Sequence, residues 1–360
     1  MQLSTTPAQD GFYFPAEFQP VSEVWLAWPE RRDNWREGAL PAQETFASVA
    51  NTIAEVTKVC VVVSSQQFDH AREQLHSGVR LVEMPLNDAW MRDIGPTVLV
   101  NQAGERRGIS WQFNAWGGEY NGLYENWQHD DLVASSVCDI LGIDHYRAPF
   151  VLEGGAIHTD GEGTLYTTEE CLLSPGRNPH LSQDQIEQQL REYLGIEKII
   201  WLPKGLFNDE TDGHVDNLMH VIAPGKVVLS WTDDPNDPQY ALSRQAEQVL
   251  KQQRDAKGRD IEVIRLPLPG PLHYSEEEAN GIELSDGMNR LAGERLSASY
   301  ANFLIVNGYV FLPLLDESTD AIAKDILQRA MPQHHIIGIP TREVLLGGGN
   351  IHCITQQIPA

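Results

Sequence analysis

The sequence predicts an α/β protein built as a closed ring of similar units, and three observations predict it. A strand–strand–helix–strand pattern recurs along the chain. Polar residues suited to chemistry stand at the start of successive units, at Asp93, Glu153 and His214, about 60 residues apart. The last unit begins so close to the C-terminus that the N-terminal segment has to complete it.

Four hairpins are read first. "RDIGPTVLVNQAGERRGISWQF", "LEGGAIHTDGEGTLYTT", "HVDNLMHVIAPGKVVLSW" and "SASYANFLIVNGYVFLP" each pass from small or polar residues into a β-rich run, then through a Gly-containing turn into a second run. A helical pattern follows each: "NWQHDDLVASSVCDILGI", "SQDQIEQQLREYLGI", "DPQYALSRQAEQVLKQQRDAKG" and "STDAIAKDILQRAM", with apolar residues at three- and four-residue spacing. A short apolar strand closes each unit: "HYRAPF", "KIIWLP", "IEVIRLPLP" and "HIIGIP". The fourth unit, starting near Ser299, is offset by the insertion "HYSEEEANGIELSDGMNRLAGE". The fifth starts at Cys353 and borrows the strand "EVWLAWP", the helix "PAQETFASVANTIAEVT" and the strands "VCVVVS" and "VRLVEMPL". This closure predicts a buried, ordered C-terminus.

The chain has 360 residues, 41% of them hydrophobic and 21% charged, as in ordinary globular proteins. That length suits two domains or one large one. With no Ser/Gly linker or charge block to divide it, residues 1–360 are read as a single domain. No apolar run reaches the ~18 residues of a membrane span, and the first residues lack the pattern of a signal peptide, so a cytoplasmic protein is expected. Cys60, Cys138, Cys171 and Cys353 are widely separated, which argues against a disulfide framework or a zinc site. The formal net charge of −25 is no footprint for nucleic acid, and it would draw in a small cation.

If the starting residues converge, the centre holds Asp93, Glu153, His214, Asp216 and Cys353. A cysteine beside a histidine is an activated nucleophile. Carboxylates around it would raise its pKa, and they make sense only if the substrate is a cation that neutralises them. A guanidinium fits best: it is planar, permanently charged, bound bidentately by carboxylates, and electrophilic at carbon. Taken singly, each residue has an ordinary explanation: Asp93 as an ion pair with Arg92, the glycines after Glu153 as a tight turn, His214 as structural, Cys353 as an inert thiol. Their recurrence at one place in successive units weakens those explanations together.

The segments "FYFPAEF", "NDAWMRDIGPT", "LEGGAIHTDGEGTLYTTEECLL", "RNPH", "GHVDNL", "SWTDDPNDPQY", "RLSASYANF" and "GGGNIHCITQQIP", in this order and spanning nearly the whole chain, resemble the agmatine deiminases of the guanidine-modifying (pentein) superfamily. The resemblance implies a five-bladed α/β propeller with pseudo-fivefold symmetry and a homo-oligomer. It implies Cys353 as nucleophile and His214 as general acid and base. Asp93 and Asp216 become the guanidinium-binding pair, and Glu153 the carboxylate that orients His214 and contacts substrate. The implied reaction converts agmatine to N-carbamoylputrescine and ammonia through an amidino-cysteine, in putrescine and polyamine synthesis, with no metal or other cofactor. His352, beside the nucleophile, would point the opposite way along a strand.

An enzyme for agmatine should present an acid or polar wall to the distal amine, whereas one for arginine needs a cation for the carboxylate. Glu210 and Asp212, in "FNDETDGHVDN", are candidates for the amine end, Glu210 preferred by the resemblance, with a solvated acidic loop as the plain alternative. Trp90 and Trp116 are candidate walls for the four-carbon chain, with core packing as theirs. An arginine or peptidyl-arginine deiminase, an amidinotransferase and a non-catalytic pentein binding protein are the rival readings; the cysteine, histidine and carboxylates argue against the last.

Overall fold

A computed structural model describes residues 1–285 and 289–360. Part of the insertion read from the sequence, positions 286–288, therefore lies outside the described residues. The described strands form five sheets. Four begin with an antiparallel pair: Thr97–Val100 with Arg106–Gln112, His158–Thr159 with Thr164–Thr168, Met219–Ala223 with Lys226–Trp231, and Leu304–Val306 with Tyr309–Leu314. The second strand of each pair then lies parallel to a third: His145–Val151, Lys198–Leu202, Glu262–Pro267 and His335–Pro340. A parallel neighbour needs a crossover. The helices Asp130–Leu141, Gln183–Leu194, Gln239–Gln252 and Asp320–Ala330 supply it, where the apolar spacing predicts them. Gln183–Leu194 starts in a capping box between Ser182 and Gln185, which satisfies two backbone donors at the exposed helix end.

The fifth sheet follows the same plan with its first strand taken from the other end of the chain. Thr355–Pro359 runs antiparallel to Val21–Ala27, which lies parallel to Lys58–Val63, and Arg80–Glu83 adds a fourth strand. The helix Leu40–Ala54 makes the crossover. All five residues of Thr355–Pro359 are buried, and Ile358 packs in one core cluster with Val24, Trp25, Val61 and Cys353.

Two features differ from the sequence expectation. The chemistry-bearing residues precede the first strand of each unit and lie on short turns: Asp93 within Met91–Ile94, Asp216 within Val215–Leu218, His214 as the residue before that turn, and Glu153 before Gly154–Ala156. Cys353 likewise lies in a turn ahead of Thr355–Pro359, not on the strand itself. A strand would alternate its side chains between two faces, whereas a turn can present several to one point. Among the described residues, no helix is long and apolar enough to cross a membrane.

Because Thr355–Pro359 ties the chain's two ends together, an Ile358→Ala variant should lose about 2–5 kcal/mol of stability. Urea unfolding checks this as a lower midpoint with an unchanged slope.

Candidate active site

The turn that carries the nucleophile candidate is held on three sides. Arg92 donates its backbone N–H to the Cys353 carbonyl at 3.1 Å and its Nε to the His352 carbonyl at 3.2 Å. Asn302 Oδ1 accepts the backbone N–H groups of His352 and Cys353, and its Nδ2 lies 3.1 Å from Cys353 Sγ. Asn302 thus occupies in the fourth unit the place that Asp93, Glu153 and His214 take in the others. Gly349 completes the turn: a Cβ there would lie 2.6 Å from the Trp90 ring and 3.0 Å from Cys353 Sγ. The run of glycines before the cysteine is therefore a packing requirement.

Cys353 opens into a cavity whose wall includes Asp93, His214, Trp90, Trp116 and Glu210. Asp93 is fixed through both oxygens, Oδ1 accepting from the Gly155 backbone N–H and Oδ2 from Trp116 Nε1, each at 2.9 Å. Asp216 lies behind the wall with Oδ2 at 3.7 Å from Cys353 Sγ and 2.7 Å from His352 Nδ1, while its buried Oδ1 has no hydrogen-bond partner. Glu153 is wholly buried, with Oε1 on Arg177 Nε at 2.8 Å and Oε2 facing His214 Nε2 at 3.5 Å. His214 Nδ1 looks the other way, 3.9 Å from Asp93 Oδ2. At the middle of this group sits Gly155, where a Cβ would lie 2.5 Å from His214 Nδ1, 2.9 Å from Asp93 Oδ1 and 3.1 Å from Asp216 Oδ2.

The electrostatics follow from burial and from these neighbours. Burial, reinforced by Asp216 and Asp93, pushes the Cys353 thiol well above its ordinary range, so it is a neutral S–H in the free site. Burial works against charge on His214, but Asp93, the Cys171 sulfur and Glu153 outweigh it and hold the imidazole protonated. Burial, with Asp216 and Glu153 as like charges, raises Asp93 to about 6. Asp216 goes the other way: burial opposes its charge, but the hydrogen bond and charge of His352 keep it ionised.

Trp90 stacks on Trp35 with ring centroids 5.2 Å apart, and its Nε1 donates to Asp88 at 2.9 Å. Trp90 and Trp116 meet edge to face, so both candidates form wall. Glu210 also lines the cavity, but its carboxylate is bound bidentately by the buried Arg290 at 2.8 and 3.1 Å. Asp212 is not among the lining residues. It holds Arg177 at 2.9 Å and takes hydrogen bonds from Ser174 and Asn121, so it supports the arginine that supports Glu153.

Several residues with a part in this geometry carry no assignment from sequence. Arg177 lies in "RNPH", Asn302 in "SASYANF" and Glu17 in "FYFPAEF", so the motifs mark them without saying what they touch. Cys171, which sequence ranks with the inert thiols, places its sulfur 4.0 Å from Glu153 Oε2 and also contacts His214.

The sequence suggests no metal-ligand set, yet the fold assembles two groups of possible donors, each within 4.8 Å: His158, His220 and His352, and Glu153, Cys171 and His214. Their members come from distant segments, which spacing cannot reveal. In the first group both nitrogens of His352 already face carboxylates, at 2.7 and 2.8 Å. In the second, Glu153 is committed to Arg177 and His214.

Residues 13–359 match the family of Porphyromonas-type peptidyl-arginine deiminases. A protein of Vibrio parahaemolyticus, provisionally named agmatine deiminase, is 86% identical over the full length of both chains. A solved agmatine deiminase of Enterococcus faecalis is 48% identical, with a TM-score of 0.97 over 99% of each chain. A solved protein of Porphyromonas gingivalis, provisionally titled arginine deiminase, is 32% identical, with a TM-score of 0.83 over 97% of this chain and 98% of its own.

The contacts around Gly155 leave no room for a methyl group. Gly155→Ala should lose at least ~100-fold in kcat, because His214, Asp93 and Asp216 must all shift, and should lower the thermal midpoint, since overpacking a buried site costs about 1–3 kcal/mol. Steady-state turnover alongside thermal unfolding checks both halves of this expectation.

Proposed function

The chain belongs to the family of Porphyromonas-type peptidyl-arginine deiminases, and from that premise and the geometry of its site we propose that it hydrolyses agmatine to N-carbamoylputrescine and ammonia. It is a hydrolase acting on a linear amidine, as its relatives named for agmatine deiminase indicate. One observation carries the chemical reading: a thiol, a protonated histidine and the buried carboxylates of Asp93 and Asp216 meet around a glycine-made hollow.

In this reading the guanidinium enters between Asp93 and Asp216, the unpartnered Oδ1 of Asp216 accepting from it. The arriving cation offsets the two carboxylates, the Cys353 pKa falls, and the thiol proton passes to solvent. The thiolate adds to the guanidinium carbon. His214 then gives its proton to one nitrogen, the C–N bond breaks, and ammonia leaves a thiouronium on Cys353. His214, now neutral and held by Glu153, takes a proton from water, and the hydroxide adds to the same carbon. As C=O forms, the C–S bond breaks and returns the thiolate, and the hydroxyl proton goes to solvent, where ammonia takes it up. The departing ureido group is neutral and has no charge to hold it between the carboxylates.

The preference for agmatine rests on the far wall. Both arginines there, Arg31 and Arg290, are already paired, with Asp33 at 2.6 Å and Glu210 at 2.8 Å. Among the described lining residues, these two cations stand against the three acids Asp33, Asp88 and Glu210, so the wall carries an excess of acid that favours an amine over a carboxylate. Trp90 and Trp116 sleeve the chain between. The same proposal takes the five sheets as blades of a pseudo-fivefold propeller around the site, and residues 1–360 as one catalytic domain. It places the enzyme in the cytoplasm as a homo-oligomer serving putrescine synthesis, with neither nucleic acid nor membrane as partner.

Ammonia release from agmatine and from arginine, measured side by side, tests the assignment. The expected kcat/KM for agmatine exceeds that for arginine by at least ~10³-fold, since leaving the substrate carboxylate unpaired in this site costs several kcal/mol. Equal or better turnover of arginine would transfer the chain to the arginine-specific reading.

A further inference from the structure

Asp216 is fixed from behind. His352 Nδ1 lies 2.7 Å from Asp216 Oδ2, and His352 Nε2 lies 2.8 Å from Glu17 Oε2. All three residues are nearly inaccessible to water. Ionised carboxylates only accept hydrogen bonds, so an imidazole bridging two of them carries a proton on each nitrogen. Glu17 is fixed in turn: its Oε1 accepts the Ile305 backbone N–H at 2.8 Å and faces His220 Nε2 at 3.2 Å, and its Oε2 lies 3.5 Å from Arg92 Nη2. His158 stacks on His352 with ring centroids 5.1 Å apart.

We propose that Glu17 and His352 are positioning residues for the guanidinium site: the imidazolium, bridged between two carboxylates, holds one oxygen of Asp216 and leaves the other for the substrate. The inference rests on the assignment of Asp216 to that site.

The charges behind the site support it. Glu17 and Asp216 are two anions; His352 and Arg92 are two cations. Burial opposes charge on Glu17, but His352 and His220 hold its carboxyl well below the ordinary range. Burial and the Arg92 charge oppose protonation of His352, and Glu17 and Asp216 overcome them. His158 and His220 are pushed down, first by burial, and stay neutral. The groups facing His352 are thus Glu17, Asp216, Arg92, His158 and His220. Those facing Asp216 are His352, Cys353, His214, Arg92 and Asp93. The arrangement neutralises Asp216 only in part, because His352 is shared with Glu17 and one carboxylate oxygen stays open.

Glu17→Gln keeps the shape and removes one anion from His352. His352 then releases its proton more readily, Asp216 loses its counter-charge, and its pKa rises. The full chain with agmatine as substrate tests this. Glu17→Gln should raise KM about tenfold and change kcat less than threefold. His352→Ala should lose about 100-fold in kcat/KM. His352→Asn, whose amide can reach Asp216 as Nδ1 does, should recover about tenfold of that loss, and His352→Gln should not.

If the His352 variants do not fold, Glu17→Gln decides alone. A folded Glu17→Gln protein with KM within twofold of the parent would overturn the proposal. Asp216→Asn separates it from its premise. Near-normal activity there would remove Asp216 from the guanidinium site, whereas a large loss there with no effect of Glu17→Gln would overturn the positioning role alone.

Discussion

A thiol and two carboxylates, all buried, share one small volume, and the rest of the site follows from that. Cys353 Sγ is 3.7 Å from Asp216 Oδ2. Two like unit charges about 4 Å apart repel by roughly 4 kcal/mol at an effective dielectric near 20, or about three pK units. Burial adds to this, so a resting thiolate is excluded at neutral pH. In the proposed mechanism a planar cation between the carboxylates offsets much of their field at the sulfur. On that proposal the site gains selectivity because the thiol is switched on by the charge it recognises, and a neutral urea, the expected product, does not sustain that state.

Carboxylates buried without counter-charges would protonate or open the structure. The fold answers with two buried counter-charges. Arg177 sits between Glu153 and Asp212, and His352 sits between Asp216 and Glu17. In each the cation is shared with a second acid farther from the substrate, so the inner acid is held in place while keeping part of its charge. Asp93 is less closely paired: it faces the His214 cation at 3.9 Å, its hydrogen bonds come from a backbone N–H and an indole N–H, and it is the carboxyl raised to about 6.

Much of this was legible in the sequence because much of it is local. Hairpin turns, helix starts and amphipathic spacing lie within a few residues of one another, so the strand–strand–helix–strand unit and the borrowed fifth sheet could be read directly. Asp93, Glu153, His214, Asp216 and Cys353 were legible because they recur at one position in successive units. Arg177, Asn302, Glu17 and Cys171 were not, since each acts on a residue from another segment: Glu17 and His352 meet across the whole chain, and Asn302 reaches Cys353 across fifty positions. Asp212 shows the reverse error. Nearness in sequence to His214 suggested the pocket, but the left-handed backbone at Asp212 and Gly213 turns its carboxylate toward Arg177. Cys353 was expected on a strand; the packing of Gly349 against Trp90 instead holds it in a turn.

The pH dependence of Cys353 alkylation by neutral iodoacetamide, in the protein without substrate, tests the central claim most directly. With Cys353 a neutral thiol until a cation arrives, the second-order rate constant should be low at pH 7 and still rising above about pH 9, beyond the ordinary thiol range. A rate that reaches its plateau by pH 7.5 would mean a thiolate already formed in the empty site, and would contradict activation by the substrate's charge.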